Sequence, residues 1–167
     1  MARRCERIVV EVDRVYDACM VKGEETFVVR LSDIEPEAVP PYNFLDMRRT
    51  GAAVLSHIDA RQCENGKSKI NCVVNIPVRC DFCDAVGRRS FGYGTITERR
   101  EVCLCMPENG VLKVEANVKS LNGAFINDEV VAETYCVEEI FKVVGREDVV
   151  INTACAEFPE CRGQCPR

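Results

Sequence analysis

Residues 65–78 read Asn-Gly-Lys-Ser-Lys-Ile-Asn-Cys-Val-Val-Asn-Ile-Pro-Val, which places a turn signal directly before an alternating pattern. Both residues of Asn65-Gly66 tolerate the positive φ angles of a tight hairpin turn. After the turn, apolar side chains recur at every second position from Ile70 to Val78, which is the period of a strand with one buried face. This stretch therefore predicts a hairpin that leads into a half-buried antiparallel strand.

The same two features recur along the rest of the chain. Asn-Gly pairs also stand at Asn109-Gly110 and Asn122-Gly123, and weaker turn signals stand at Lys22-Gly23, Gly87 and Gly145. Another alternating row follows the second Asn-Gly pair, with the apolar Leu112, Val114, Ala116 and Val118 against the polar Lys113, Glu115, Asn117 and Lys119. We expect eight or nine strands in an all-β, antiparallel β-sandwich with a jelly-roll-like character.

Helical patterns are scarce. Asp33–Ala38 is compatible with a single helical turn, which Pro40-Pro41 would end. The segment Glu35–Arg49 holds three of the seven prolines and is predicted to be a long connection between sheets. The expected organisation is an N-terminal extension over residues 1–7, one β-sandwich domain over 8–153 and a cysteine-bearing tail over 154–167.

The composition excludes several functional classes. Apolar residues make up 47% and charged residues 29% of the chain, as in folded soluble proteins rather than disordered ones. The net charge is −5, and the arginine pairs stand close to acidic residues, so we expect no nucleic-acid partner. No apolar stretch approaches the ~20 residues of a membrane helix, and the N-terminal pattern is not that of a signal peptide, so no membrane partner is expected.

Twelve cysteines are the most unusual feature of the composition. A chain of this size can bury enough surface to fold without covalent staples, so the thiols need another explanation. Metal binding, redox chemistry and cross-linking after oxidation are the three candidates. The positions are Cys5, Cys19, Cys63, Cys72, Cys80, Cys83, Cys103, Cys105, Cys136, Cys155, Cys161 and Cys165.

Two close pairs, Cys80-Asp-Phe-Cys83 and Cys103-Leu-Cys105, raise the first two candidates. Together they could supply four thiolates to a zinc ion in a binding adaptor, although structural zinc sites usually repeat the C-x-x-C knuckle. A thiol oxidoreductase would place Cys80 at a helix N-terminus, whereas this pair leaves a strand and enters the turn at Gly87. We therefore expect neither a cofactor nor catalysis, with zinc binding and redox activity kept as alternatives.

The chain ends favour the third candidate. Cys5, Cys161 and Cys165 lie outside the predicted core, where thiols suit bonding to a neighbouring subunit, with an internal bridge to the body as the alternative. Five further cysteines remain candidates for internal bridges or additional lateral links: Cys19, Cys80, Cys83, Cys103 and Cys105. Cys72 and Cys136 lie within alternating strands, where a cysteine behaves as a small buried hydrophobic residue.

The single histidine, His57, stands beside Ser56 and near Asp59. Consecutive residues of a strand point to opposite faces, so we do not expect Ser56 and His57 to act as nucleophile and base. We interpret His57 as an ordinary structural or surface residue.

The opening Val10-Glu-Val-Asp-Arg-Val-Tyr-Asp-Ala-Cys19 resembles the sporulation domain called SPOCS, found in coat and sporulation proteins of anaerobic spore-formers. Its most specific part is Val15–Cys19. The stretches Asn75–Val78, Tyr93–Thr97 and Asn122–Phe125 resemble later strands of that domain, so the likeness covers most of residues 8 to 150. Family members often carry a peptidoglycan-binding LysM module, and none is recognisable in this sequence.

This resemblance implies a structural protein of the spore surface. Such proteins are made without a signal peptide in the mother-cell cytoplasm and meet air when that cell lyses, so reduced thiols can become disulfides after assembly. We therefore expect a self-assembling spore coat or appendage component, with copies of itself and other spore-surface proteins as partners.

Overall fold

The computed structural model describes residues 7–63 and 65–152, and within them it contains seven β-strands and no helix. The strands are β1 (Arg7–Arg30), β2 (Asn43–Arg49), β3 (Val54–Gln62), β4 (Ser68–Cys83), β5 (Arg89–Leu104), β6 (Val111–Asn127) and β7 (Val130–Asn152). The all-β prediction is confirmed. Seven strands replace the eight or nine expected, because several of them run through positions that we predicted as turns.

The strands form two antiparallel sheets packed as a sandwich. One sheet has the order β1-β7-β6. In the other, β4 pairs with β5 along its whole length, while β2 and β3 share the opposite edge of β4. The predicted β-sandwich is therefore confirmed, with the central strands β7 and β4 facing each other across the core.

The alternating rows of the sequence form the two inner faces. In β4 every second side chain from Ser68 to Phe82 is buried, as the row from Ile70 to Val78 predicted. In β6, Leu112 and Ala116 are buried while their neighbours Lys113 and Lys119 are exposed. Fully burying each such apolar side chain contributes roughly 1.5–3 kcal/mol, so these rows dominate the stability of the sandwich.

Three of the predicted turns are confirmed. Gly66 at the β3–β4 turn and Gly87 at the β4–β5 turn have φ angles of 76° and 81°, a region that glycine enters without strain. The third confirmed turn lies between β5 and β6, where the Gly110 amide donates to the Pro107 carbonyl at 2.8 Å.

The predicted turns at Lys22-Gly23, Asn122-Gly123 and Gly145 were wrong, because these residues lie inside β1, β6 and β7. Gly123 pairs with Glu133 of β7, and a Cβ atom there would lie 2.9 Å from ring carbons of Phe44. This glycine therefore permits close packing rather than a turn.

The connection after β1 also differs from the prediction. The long segment predicted over Glu35–Arg49 ends earlier, because Asn43–Arg49 forms β2 at the edge of β4. The proposed helical turn over Asp33–Ala38 is a hydrogen-bonded turn in which the Ala38 amide donates to the Glu35 carbonyl at 3.0 Å.

β1 and β5 approach each other closely at one margin of the sandwich. Ser32 and Tyr93 exchange backbone hydrogen bonds of 2.6 and 2.9 Å. A Cβ atom on Gly94 would lie 2.5 Å from Cγ1 of Val29, so only glycine allows this approach. The two sheets are thus joined directly along this margin.

The chain divides into two compact units. Val15–Gly145 forms the sandwich body. The other unit combines the beginning of β1, through Arg14, with the end of β7, from Arg146. Within this second unit Arg14 binds Glu147 at 2.7 Å and Arg146 binds Glu11 at 3.1 Å.

Candidate functional site

The eight described cysteines are free thiols in three environments. Cys72 and Cys80 are buried inside the sandwich. Half-buried thiols belong to Cys19, Cys83 and Cys136, and exposed thiols to Cys63, Cys103 and Cys105. The prediction of a buried position is therefore confirmed for Cys72, whereas Cys136 projects from the partly exposed face of β7.

The buried thiols of Cys72 and Cys80 have low reactivity. Burial raises the pKa of Cys80 to about 12, and the charge of Glu133 adds to the shift. Burial likewise raises the pKa of Cys72. Because the thiolate is the reactive form, these two residues serve as small core side chains.

The Cys80/Cys83 pair does not form a dithiol unit in this fold. Both residues belong to β4, which ends at Cys83 and leads into the turn at Gly87, as we predicted. Their odd spacing along a strand directs them to opposite faces, so Cys80 is buried while Cys83 is partly exposed. An internal Cys80–Cys83 bridge and a redox role for the pair therefore lack the required geometry.

The four cysteines of the alternative zinc site are also separated. Cys83 pairs with Arg89 at the start of β5, whereas Cys103 pairs with Lys69 near its end. Fourteen residues of strand at ~3.3 Å each place these positions roughly 45 Å apart. Within residues 7–63 and 65–152, no group of three or more His, Cys, Asp or Glu side chains is arranged to hold a metal ion.

Three exposed thiols instead converge at one end of the β3-β4-β5 sheet, and we call Cys63, Cys103 and Cys105 the thiol patch. Cys63 follows the end of β3, and its amide donates to the Lys67 carbonyl at 2.7 Å. Cys105 directly follows Leu104, which pairs with Ser68 at the start of β4. Adjacent strands are ~4.8 Å apart, so Cys63 and Cys105 lie about two strand spacings, roughly 10 Å, from each other.

Charged side chains surround the thiol patch. Lys69 lies directly opposite Cys103 and binds Glu101 at 2.9 Å. The pKa of Lys69 is raised by this hydrogen bond and by the charge of Glu101, and then by the nearby Cys103 and Cys63 thiols. The three thiols of the patch are exposed, so a reaction partner can reach them.

The part of β1 that begins at Val15, inside the sandwich body, lies next to the patch. The Cys105 amide donates to Oδ2 of Asp17 at 2.8 Å, and this hydrogen bond lowers the pKa of Asp17. Burial, followed by the charges of Asp17 and Cys103, raises the pKa of Cys19. Cys19 is therefore a less reactive neighbour of the patch than the exposed thiols.

The predicted cross-linking residues Cys5, Cys161 and Cys165 lie outside the described residues, as does Cys155. The prediction that they link subunits therefore stays a prediction. Of the remaining candidates, the structure brings Cys103 and Cys105 together with Cys63, and it places Cys80 and Cys83 elsewhere. Cys63 escaped the sequence analysis because its proximity to Cys103 depends on the pairing of β3, β4 and β5.

His57 occupies a β-bulge in β3 and is exposed, with a φ angle of 50°. Ser56 and His57 both line a groove of about 710 Å³, and the bulge interrupts the strand alternation on which our opposite-face argument relied. The Ser56 hydroxyl accepts a hydrogen bond from Asn75 at 2.9 Å, and Asp59 binds Arg61 at 3.3 Å. These contacts tie the serine and the aspartate to partners other than His57.

A charged cluster lies inside the sandwich. Arg100 of β5 donates to Glu139 of β7 at 2.5 Å and binds Glu25 of β1 at 2.8 Å, with Glu98 also in contact. Burial, together with the neighbouring Glu139, raises the pKa of Glu98 to about 9. Glu98 is thus protonated at neutral pH, which limits the cost of enclosing three carboxyl groups around one guanidinium.

A second buried acid, Glu133, lies further along the inner face of β7. Burial raises its pKa to about 7, against the opposing effect of the Ser120 and Tyr135 hydroxyls. Tyr135 donates a hydrogen bond to Sδ of Met47 at 2.8 Å. Neither the charged cluster nor Glu133 was predicted from the sequence, although Glu133 and Glu139 interrupt an otherwise apolar alternating row in β7.

No family model, curated protein or solved structure matches the chain. The likeness to the SPOCS domain therefore stays a prediction. Within residues 7–63 and 65–152, none of the elements is a helix long and apolar enough to cross a membrane.

Proposed function

We propose that this protein is a structural, self-assembling component of a bacterial spore coat or spore-surface appendage, with disulfides linking its subunits. The observation that carries this proposal is the thiol patch, in which three exposed cysteines share one end of a sheet. The patch thiols are accessible, whereas Cys72 and Cys80 are enclosed and burial raises the pKa of both. The fold thus separates thiols that support the core from thiols available to a partner.

The resemblance to the SPOCS domain supplies the biological setting. A spore-surface protein would be assembled while its thiols are reduced and oxidised after the mother cell lyses. Non-covalent contacts between subunits would form first, and disulfides would then prevent their dissociation. Other spore-surface proteins with free thiols are potential partners in the same layer.

The test is a non-reducing denaturing gel of purified protein oxidised in air. Wild-type protein should give a ladder of linked species that a reductant collapses to monomer. A variant with Cys5→Ser, Cys161→Ser and Cys165→Ser should keep its circular dichroism spectrum and lose most of the ladder. Wild-type protein that still runs as a monomer after oxidation would overturn the cross-linking function.

A further inference from the structure

An open polymer requires two different linkage sites on every subunit. Bonds between identical sites are isologous and close after two copies, whereas a bond between unlike sites can repeat indefinitely. The thiol patch supplies one site within the described residues. The tail supplies a distinct set of thiols at Cys155, Cys161 and Cys165.

We propose that the polymer is linked head to tail, with a thiol of the patch on one copy bonded to a tail cysteine of another copy. This inference rests on the proposed function and specifies its linkage. The patch is the fixed partner, because Cys103 and Cys63 are held by strand pairing and by the β3–β4 turn.

The tail is the better source of the incoming thiol because it is long and carries several cysteines. Residues 153–167 follow β7, and the 13 residues from 153 to 165 span at most about 45 Å when extended. The tail carries three cysteines, Cys155, Cys161 and Cys165, whereas the N-terminal extension carries Cys5 alone. The larger number of thiols therefore favours the tail over the N-terminal extension as the incoming segment.

The bond forms by thiol–disulfide exchange with a low-molecular-weight disulfide as oxidant. A patch thiolate attacks that disulfide, which gives a mixed disulfide and releases one small thiolate. A tail thiolate of another copy then attacks the patch sulfur and displaces the second small thiolate. Two cysteine thiols are thus oxidised to one disulfide, the small disulfide is reduced to two thiols, and the two protons pass to them.

The test is to map the disulfides by mass spectrometry in a mixture of unlabelled and isotope-labelled protein. Unlabelled and ¹⁵N-labelled wild-type proteins are mixed while reduced, oxidised with glutathione disulfide, blocked with iodoacetamide and digested with trypsin. The patch peptides 62–67 and 101–113 should be bonded to the tail peptides 147–162 or 163–167. Heavy–light hybrids of these pairs are expected, because the bond joins two copies.

Each contrary result is distinguishable. A ladder that contains only tail–tail or patch–patch bonds would overturn the head-to-tail linkage and leave cross-linking intact. Patch–tail pairs without hybrids would show a bond within one chain and also overturn it. The complete absence of a ladder would instead remove the proposed function itself.

A matched pair of variants tests the same point without mapping. Replacing Cys63, Cys103 and Cys105 by Ser should abolish the patch–tail bonds and remove most of the higher species of the ladder. Replacing Cys83 and Cys136, which are partly exposed but outside the patch, should preserve the full ladder. An equal loss of the ladder in both variants would contradict the role of the patch in the linkage. Circular dichroism serves as the control that each variant is folded.

Discussion

Lys69 of β4 lies directly opposite Cys103 of β5, and its ammonium group also binds Glu101 at 2.9 Å. This cross-strand pair places a cation beside an exposed thiol at the end of the sandwich where Cys63 and Cys105 also lie. The chain distributes its thiols unequally, since the interior of the same sheet encloses Cys72 and Cys80.

This distribution predicts a clear order of thiol reactivity. In native, reduced protein, iodoacetamide should label Cys63, Cys103 and Cys105 well before Cys72 and Cys80, because the buried thiols are inaccessible and Cys80 has a pKa of about 12. Mass spectrometry of peptides at successive times measures the order. Labelling of Cys80 as fast as Cys103 without denaturant would contradict the burial of that thiol.

The close approach of β1 and β5 predicts an unusual sensitivity at one glycine. Gly94→Ala should destabilise the sandwich by about 1–3 kcal/mol, because the new methyl group would overlap Val29 and the Arg30 carbonyl. Gly23→Ala is the matched control, since nothing lies within 4 Å of the added atom. Urea denaturation measures both, and equal effects would argue against the described margin.

The buried acid Glu133 predicts a pH dependence with a definite sign. Its pKa rises from 4.5 to about 7 on folding, so the folded state binds the proton more tightly than the unfolded state. Protonated Glu133 therefore adds about 3 kcal/mol to the free energy of unfolding. This stabilisation is complete below about pH 4.5 and is lost as the pH rises through about 7.

Glu133→Gln should therefore flatten the stability profile over this range, because the amide cannot ionise. The remaining slope should come from Glu98, whose pKa of about 9 extends the loss to higher pH. Denaturation curves at several pH values provide the measurement. A wild-type protein that becomes more stable from about pH 5 to about pH 8 would have the opposite sign.

The two faces of β6 predict unequal responses to a charged substitution. Leu112→Asp should cost several kcal/mol because it buries an unpaired charge. Lys119→Asp changes an exposed position on the other face of the same strand and should cost little. Comparable losses of thermal stability would contradict the assignment of these faces.

Local patterns in the sequence predicted the strand class, the inner rows of β4 and β6, and the turns at Gly66 and Gly87. They failed where tertiary packing determines the structure. Gly123 is a glycine because Phe44 packs against it, and no neighbour in the sequence reveals that contact. Similarly, the bulge at His57 overrides the simple alternation that we assumed for β3.

The candidate site was harder to predict than the fold, because it depends on contacts between distant residues. Cys63 and Cys103 come together through strand pairing, whereas the conspicuous spacing of Cys80 and Cys83 divides those two thiols between opposite faces. The buried acids were recognisable from the local sequence, because Glu133 and Glu139 occupy inward positions of the alternating row in β7. A strict reading of that alternating row would have identified them.

Electron microscopy of the purified wild-type protein shows directly whether the chain assembles and is then locked by disulfides. Protein assembled under reducing conditions and then oxidised should show regular fibres or sheets that persist in hot detergent and disperse when a reductant is added. If the oxidised protein shows only isolated particles of monomer size, the chain does not assemble, and the proposed structural function is wrong.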